Sequence, residues 1–259
     1  MSVAPVARER RHTLGFLGYA RSFAPVFLDT EVDMTAVRDH RDRRGGDTRY
    51  SWTTYLLHAA ARVLAEHPEA NSAIRGGIRP KVARYDAVHV KLALDKRLAG
   101  HRVVLSAVLP DVHTAGLDEI QRSLAHYRDG DPETMPEFAR TRALHRLPRP
   151  LGALAFKAVS RSLRARGRTM GTLAVSSLGH AAVDGFHSVG GTTITLGVGR
   201  VVERPVVRDG RVGVAPVLRL NLAFDHRVID GAEAADVLTA IRDRLERFTA
   251  ADGEPEVTG

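Results

Sequence analysis

The chain has 259 residues, of which 44% are hydrophobic and 26% charged, so it is long enough for one large domain or two small ones with a buried core. Cysteine is absent, which excludes disulfide bonds, a thiolate zinc site and a cysteine nucleophile. No apolar run approaches the roughly 20 residues of a membrane-spanning helix, and the charged stretch from Arg8 to Arg11 is unlike a signal peptide. We therefore expect a cytoplasmic protein that does not associate with membranes.

The formal net charge of +8 is concentrated in one segment. Residues 140–168 contain nine lysine or arginine residues and no carboxylate. Bases of single-stranded nucleic acid stack on aromatic side chains, and this segment offers only Phe156. The composition thus argues against a nucleic-acid partner, and the basic run is either a solvated face or a binding site for an anion.

Hydrophobic periodicity predicts strands and helices that are interspersed along the first half of the chain. In order, the pattern predicts strand 25–33, helix 51–66 with Ser51 as its N-cap, strand 86–94, a turn from Lys96 to Gly100, strand 102–109 and helix 115–127.

The second half opens with a stretch rich in proline, aspartate and arginine that is expected to lie on the surface. The predicted elements are this excursion over 128–150, a basic helix over 151–166, strand 171–176, a glycine-rich loop, strand 192–198, a hairpin of 201–207 and 211–224 turning at Asp209-Gly210, and helix 232–248. We expect an α/β two-layer sandwich with a mixed, largely antiparallel sheet. It would form one domain over residues 10–250, with tails at 1–9 and 251–259.

Residues 218–231 are the most informative segment. An apolar strand ends there, and Asp225, His226, Arg227, Asp230 and Gly231 lie in the turn before the last helix. Because histidine titrates near neutral pH, His226 can take a proton from a thiol or hydroxyl and return it. Asp230 is expected to orient the turn through an arginine. The alternative is a polar strand end whose histidine is exposed and has no role.

The pattern His-x-x-x-Asp-Gly occurs a second time, from His180 to Gly185. That copy lies in the glycine-rich loop and is not followed by a helical repeat, so the pattern alone is a weak signal. The strand–turn–helix context favours His226 over His180.

Five ordered segments resemble the acyltransferase catalytic core of the 2-oxoacid dehydrogenase complexes, whose fold chloramphenicol acetyltransferase shares. The similar segments are 27–33 (FLDTEVD), 67–72 (HPEANS), 172–179 (TLAVSSLG), 196–199 (LGVG) and 225–232 (DHRVIDGA). The similarity therefore extends from about residue 10 to residue 247.

The resemblance implies a CoA-dependent acyltransferase with acetyl-CoA as the co-substrate. By that resemblance, His226 is the general base, Ser176 donates a hydrogen bond to the tetrahedral oxyanion and Asp230 supports the loop. Ser177 is the alternative oxyanion donor, although strand alternation favours Ser176. The family further implies a homotrimer in which His226 of one chain faces Ser176 of its neighbour, with no metal.

The sequence departs from the family in lacking a lipoyl domain ahead of the core. Either lipoyl domains are supplied by another polypeptide, as in a dehydrogenase complex, or the acceptor is not a lipoyl group. We favour the second hypothesis, in which a hydroxyl or thiol of a small metabolite or of a carrier-bound intermediate is acylated, as in natural-product O-acetylation. The remaining alternative is a trimer without catalytic activity that acts only as a structural or interaction protein.

The basic segment within residues 129–168 is the second departure from the family pattern. Arginine binds phosphate bidentately, so Arg161, Arg164 and Arg166 are candidates to hold the CoA phosphates or an acidic acyl carrier protein. His187, in the loop over residues 183–191, is either a second polar group of an acceptor pocket or without a role. Gly197 and Gly199 form half of a dinucleotide fingerprint, but a strand follows them, which argues against a nucleotide cofactor.

Overall fold

A six-stranded mixed sheet forms the centre of the computed structural model, which describes residues 1, 3–43, 49–76, 78–147 and 149–253. The strands are β1 (Pro25–Asp33), β2 (Ser72–Arg75), β3 (Lys81–Arg84), β4 (Val90–Leu98), β5 (His101–Leu109), β6 (Leu173–Ser177), β7 (Ile194–Arg208) and β8 (Arg211–Asp225). Their order in the sheet is β1-β8-β7-β6-β4-β5, while β2 and β3 pair separately. β6 runs parallel to β4 and β7, and the other neighbours are antiparallel. The predicted mixed, largely antiparallel sheet is confirmed.

The helices in the described residues are α1 (Arg11–Ala20), α2 (Thr35–Arg43), α3 (Trp52–Glu66), α4 (Leu117–Asp129), α5 (Ala139–Arg146), α6 (Arg149–Arg161), α7 (Leu163–Met170) and α8 (Gly231–Glu246). Ser51 begins α3 as predicted, since its hydroxyl accepts the backbone N–H of Thr54 at 3.1 Å. Among the residues that the structure describes, no helix is both long enough and apolar enough to cross a bilayer.

The main core lies between one face of the sheet and helices α3 and α8. Leu57 and Val63 of α3, Ile241 of α8 and the strand residues Leu196 and Leu222 are all at most 1% exposed and belong to one cluster. Burying each such side chain contributes about 1.5–3 kcal/mol. This cluster packs both helices against the sheet.

The excursion over 128–150 was expected to lie on the surface, and this prediction is wrong in part. Met135 and Phe138 are 6% and 1% exposed and pack with Leu105 in a second cluster beside β5. A short 3-10 turn that begins at Pro136 leads into α5. Proline fits the first turn of a helix, and two buried apolar side chains anchor a segment whose composition otherwise indicates a loop.

The single basic helix predicted over 151–166 consists of two helices, α6 and α7. Ser162 separates them and caps α7, because its hydroxyl accepts the backbone N–H of Ala165 at 3.3 Å. Serine competes for backbone hydrogen bonds and therefore favours a cap over a helix interior.

Two strand boundaries also differ from the prediction. β4 begins at Val90 and continues through Leu98, so the turn consists of Ala99 and Gly100 alone. Both residues have positive φ, 48° and 77°, which matches the twist of a two-residue hairpin. The strands predicted over 192–198 and 201–207 form one strand, β7, with a register shift between Val198 and Val201.

Besides α5, the elements without a counterpart in the sequence-based assignment are α1, α2 and the β2–β3 ribbon. α1 contains two glycines and no buried residue, so its helical pattern is weak. Its Phe16 ring lies 4.1 Å from Nζ of Lys91, a β4 residue on the sheet face opposite to the main core.

His58 makes the stability of the fold depend on pH. Its side chain is 1% exposed, neither ring nitrogen has a hydrogen-bond partner in the described structure, and burial lowers its pKa to about 3. The unfolded chain takes up a proton near pH 6.5 that the folded chain excludes, so stability is lost as the pH falls from 6.5 toward 3. Lowering the pH from 7 to 5 should therefore reduce the free energy of unfolding of the wild type by about 2 kcal/mol through His58 alone. We expect this contribution to be absent in His58→Leu, as measured by urea unfolding at the two pH values.

The exposed His180 provides the control for this prediction. His180→Gln should leave the pH dependence of unfolding unchanged. Equal pH dependence in wild type and His58→Leu would contradict the assignment.

Candidate active site

The backbone of the turn after β8 is fixed by hydrogen bonds to two neighbouring segments. The N–H of Asp225 donates to the carbonyl of Thr193 at 3.0 Å, and the N–H of His226 donates to the carbonyl of Ala24 at 2.9 Å. The N–H of Val228 then donates to the carbonyl of Asp225, which closes the turn. His226 is therefore held at the end of a rigid strand.

A buried ion pair stabilises the same turn. The Asp225 carboxylate, 1% exposed, accepts hydrogen bonds from Arg227 Nε at 2.9 Å and Arg227 Nη2 at 2.5 Å. It also accepts the backbone N–H groups of Ala24 and Arg227, each at 3.3 Å. The carboxylate raises the pKa of Arg227 above its usual value.

The arginine contact predicted for Asp230 is thus made by Asp225 instead. Asp230 is 90% exposed, and the ion pair that it forms in the described chain is with His226, its Oδ1 lying 3.4 Å from Nδ1. Sequence position does not distinguish the two carboxylates, because Asp225 and Asp230 both lie within a few residues of Arg227. Burial determines which carboxylate binds Arg227. Asp225 is removed from water, and its charge therefore needs the guanidinium, whereas the exposed Asp230 is solvated.

The imidazole of His226 is accessible and oriented. Its side chain is 47% exposed, and its ring lies 5.5 Å from that of Phe224, centroid to centroid. A carboxylate beside Nδ1 favours the tautomer that carries the proton there, and in that tautomer Nε2 has the lone pair. This arrangement suits a general base.

The two candidate serines lie at the end of β6 and point to opposite faces of the sheet. Leu173 and Val175 belong to the main core, so strand alternation places Ser177 on the core face and Ser176 on the opposite face. The Ser177 hydroxyl accepts the N–H of Gly179 at 3.5 Å, whereas that of Ser176 makes no hydrogen bond within the described residues. Ser176 is therefore the serine with a hydroxyl available to a ligand.

Ser176 and His226 lie far apart within one chain. Ser176 is paired with Gly197, and Gly197 with Asn221, five residues before His226. Two strand spacings and five residues along β8 separate their Cα atoms by roughly 19 Å. A single chain does not bring these two candidates together.

The loop over 178–191 covers the sheet beside Ser176. A Cβ on Gly197 would lie 2.0 Å from the carbonyl oxygen of Phe186, so glycine is required for this close approach. Lys91 holds the other end of the loop, donating from Nζ to the carbonyl of Gly190 at 3.0 Å and lying 4.1 Å from the Phe16 ring centroid. Burial of this ammonium lowers the pKa of Lys91 to about 8.

The second His-x-x-x-Asp-Gly match has a structural role. Asp184 pairs with Arg200 at 2.6 Å and with Arg204 at 3.2 Å, and His180 is exposed. The aspartate of this second copy is thus held in ion pairs with two arginines.

The ring of His187 lies 5.1 Å from that of Phe27.

Of the three basic candidates, Arg161 and Arg166 line a cavity of 610 Å³ and Arg164 does not. The cavity is also lined by Tyr19 and Arg75, which the sequence did not single out, and by Arg227 of the histidine turn. Arg227 follows His226 directly in the sequence. Arg75 and Tyr19 come from distant segments, and no sequence pattern predicts that they line a shared cavity. In the residues that the structure describes, no group of three or more histidine, aspartate or glutamate side chains could hold a metal ion.

Comparison with known proteins identifies the family. Residues 137–251 match the family described as 2-oxoacid dehydrogenases acyltransferase (catalytic domain). The chain is 34% identical over 225 residues to the dihydrolipoyllysine-residue acetyltransferase component of the pyruvate dehydrogenase complex of Staphylococcus aureus, a match that covers 84% of this chain and 45% of that protein. The chain belongs to this acyltransferase family. It spans less than half the length of that curated relative.

Solved structures confirm the fold expected for the family. Azotobacter vinelandii dihydrolipoamide acetyltransferase is similar with a TM-score of 0.69 and 23% identity, covering 95% of this chain and 92% of that one. Chloramphenicol acetyltransferase is similar with a TM-score of 0.51 and 17% identity, covering 95% and 98%. The predicted chloramphenicol acetyltransferase-like fold is confirmed.

The buried pair of Asp225 and Arg227 can be tested by unfolding. Asp225→Asn removes the charge from the hydrogen bonds to Arg227, so we expect the free energy of unfolding to fall by about 1.5–3 kcal/mol. Asp230→Asn is the matched control, and because Asp230 is exposed its effect should stay within about 0.5 kcal/mol. Equal effects of the two substitutions in urea unfolding would contradict the assignment.

Proposed function

We propose that the chain transfers an acyl group from a CoA thioester to a thiol or hydroxyl, at a site that two chains complete together. The observation that carries this proposal is the geometry of His226 and Ser176. An oriented, accessible imidazole and an available hydroxyl are both present, yet roughly 19 Å separates them in one chain. A cyclic trimer, in which each chain presents His226 to Ser176 of the next, would join them.

In this proposal, Nε2 of His226 takes the proton from the attacking thiol or hydroxyl, and the nucleophile attacks the thioester carbonyl carbon. Asp230, beside Nδ1, stabilises the imidazolium that forms. The tetrahedral centre then collapses, the carbon–sulfur bond breaks, and the proton passes from His226 to the departing CoA sulfur. The acyl group ends on the acceptor and free CoA is released.

Ser176 is proposed to stabilise the negative oxygen of the tetrahedral centre. Its hydroxyl is uncommitted among the described residues and points away from the main core. One oxyanion donor is worth about 3 kcal/mol when its geometry is correct. The Azotobacter vinelandii structure comes from an investigation of a serine, a histidine and an asparagine in the catalytic mechanism of that enzyme. That histidine and asparagine are four positions apart, as are His226 and Asp230.

We propose a dihydrolipoyl thiol as the acceptor. The name of the Staphylococcus aureus relative, a dihydrolipoyllysine-residue acetyltransferase, supports this reading over the O-acetylation of a small metabolite that the sequence led us to favour. The small-metabolite hypothesis finds no support in the comparisons.

Three serine and histidine substitutions test the proposed roles. His226→Ala should abolish acetyl transfer, and Ser176→Ala should lower turnover by about 10²- to 10³-fold because an oxyanion donor is lost. Ser177→Ala is the matched control and should retain most of the activity. Transfer is measured by chromatographic separation of CoA from acetyl-CoA, with dihydrolipoamide and a hydroxyl acceptor in parallel. Activity in His226→Ala would overturn the mechanism.

Mixed assemblies test whether the site lies between chains. When His226→Ala and Ser176→Ala chains are refolded together, about a quarter of the sites in a random cyclic trimer combine an intact histidine with an intact serine. We therefore expect the mixture to recover activity that neither variant has alone. If each chain contains a complete site, mixing will restore nothing, and the shared-site proposal fails.

A further inference from the structure

The sheet face opposite to the main core carries a lysine close to Ser176. Val90 and Leu92 of β4 belong to the main core, so strand alternation places Lys91 on the opposite face, which is also the face of Ser176. In the register of β4 and β6, Lys91 is paired with Ala174, two residues before Ser176. One strand spacing and two residues separate the Cα atoms of Lys91 and Ser176 by roughly 8 Å.

The Lys91 side chain joins three elements of this face. From β4, its Nζ donates to the carbonyl of Gly190 in the loop over 178–191 at 3.0 Å, and it lies 4.1 Å from the ring centroid of Phe16 in α1. Lys91 forms no ion pair with a carboxylate in the part of the chain that the structure describes. A buried cation is costly, and here a carbonyl oxygen and an aromatic face offset part of that cost. The charge of Lys91 therefore holds the loop and α1 to the sheet.

The end of the loop that Lys91 holds is packed directly on β6. The N–H of Gly190 donates to the hydroxyl of Thr195 at 2.9 Å. A Cβ on Gly190 would lie 2.3 Å from the Cβ of Ala174, so the backbone of the loop touches the strand two residues before Ser176. A displacement of this segment would change the surface beside Ser176.

The remainder of the loop borders Ser176 from the other side. The N–H of Leu178, directly after β6, donates to the carbonyl of Val198 at 2.8 Å. The carbonyl oxygen of Phe186 lies against Gly197, which is the register partner of Ser176. The loop thus leaves β6 beside Ser176 and passes over the neighbouring strand before it returns to Lys91.

We infer that Lys91 is a positioning residue for the proposed oxyanion site, because its ammonium holds the loop over 178–191 against β6 and α1 and so fixes the space in front of the Ser176 hydroxyl. The inference rests on the proposed role of Ser176 in acyl transfer. Lys91 acts through the loop and carries no proton in the reaction. A misplacement of about 1 Å at a reacting centre can cost about 10²-fold in rate, so the hold on the loop matters to turnover.

The charged and titratable side chains of the packed elements do not compensate Lys91. They are Arg11, His12 and Tyr19 of α1, Asp95, Lys96 and Arg97 of β4, His180, Asp184 and His187 of the loop, and Arg166 and Arg168 of α7. Asp95 pairs with Arg102 at 2.5 Å and Asp184 with Arg200 at 2.6 Å, so both carboxylates are engaged elsewhere. The pKa of Lys91 is lowered to about 8 by burial alone.

The contact therefore depends on pH. As the pH rises through about 8, Lys91 loses its charge, its attraction to the Phe16 ring disappears and its hydrogen bond to Gly190 weakens. Tyr19, the titratable neighbour whose hydroxyl donates to the carbonyl of Gly191 at 3.5 Å, stays neutral in this range because burial raises its pKa. The loop should thus be held firmly at pH 7 and more loosely at pH 9.

Hydrogen exchange of the full chain tests the contact without any turnover. Lys91→Met keeps the length of the side chain and removes the ammonium, so the amides of residues 178–191 should lose about 10-fold or more of their protection at pH 7. Lys96→Met is the matched control, since Lys96 lies on the same strand but donates to the carbonyls of Arg128 and Gly130 at the end of α4. Equal protection of the loop in Lys91→Met and the wild type overturns the inference.

The wild-type chain supplies a second measurement that does not depend on the folding of Lys91→Met. After correction for the intrinsic exchange rate, the protection of residues 178–191 should fall between pH 7 and pH 9, whereas that of the β4–β5 ladder should not. Constant protection of the loop over this range contradicts the inference.

Kinetics separate a positioning role from a merely structural one. Lys91→Met should lower kcat for acetyl transfer about 10-fold or more and leave the KM for acetyl-CoA nearly unchanged, because the oxyanion geometry changes and binding does not. The wild-type kcat should decline above about pH 8, and this decline should be absent in Lys91→Met. A looser loop with an unchanged kcat and pH profile refutes the positioning role. A wild type without any acetyl transfer refutes the proposed function instead and leaves the exchange result intact.

Discussion

The geometry of the candidate site depends on the burial of one carboxylate. Asp225 ends β8 with its carboxylate buried, and among the described residues the guanidinium of Arg227 and two backbone N–H groups compensate its charge. This requirement folds the chain back at residue 227 and leaves His226 between two fixed points with its ring directed outward.

The register of the sheet imposes the second constraint. β6 and β8 are separated by β7, and the ends of the two strands that carry Ser176 and His226 are displaced along the sheet. A rigid sheet cannot fold to bring these ends together. A chain that uses both residues in one reaction must therefore borrow one of them from a neighbour, which explains why a small protein of this family would act as an oligomer.

The sheet face opposite to the main core is covered by segments whose contacts are mainly polar or aromatic. Lys91 holds the loop at Gly190 and packs on Phe16 of α1, and α1 in turn presents Tyr19 to the cationic cavity. The cavity and the turn that carries His226 meet at Arg227.

The sequence by itself determined the strands with clear alternation, the capped helix after Ser51 and the histidine turn, because these follow from local periodicity and from a motif read in its context. It also selected His226 over His180, since a strand and a helix flank only the first. It did not determine which carboxylate binds Arg227, that Met135 and Phe138 are buried, or that Arg75 and Tyr19 meet Arg166 around one cavity. Those outcomes depend on which distant segments exclude water from each other, and burial is a property of the packed chain that no short stretch of sequence contains.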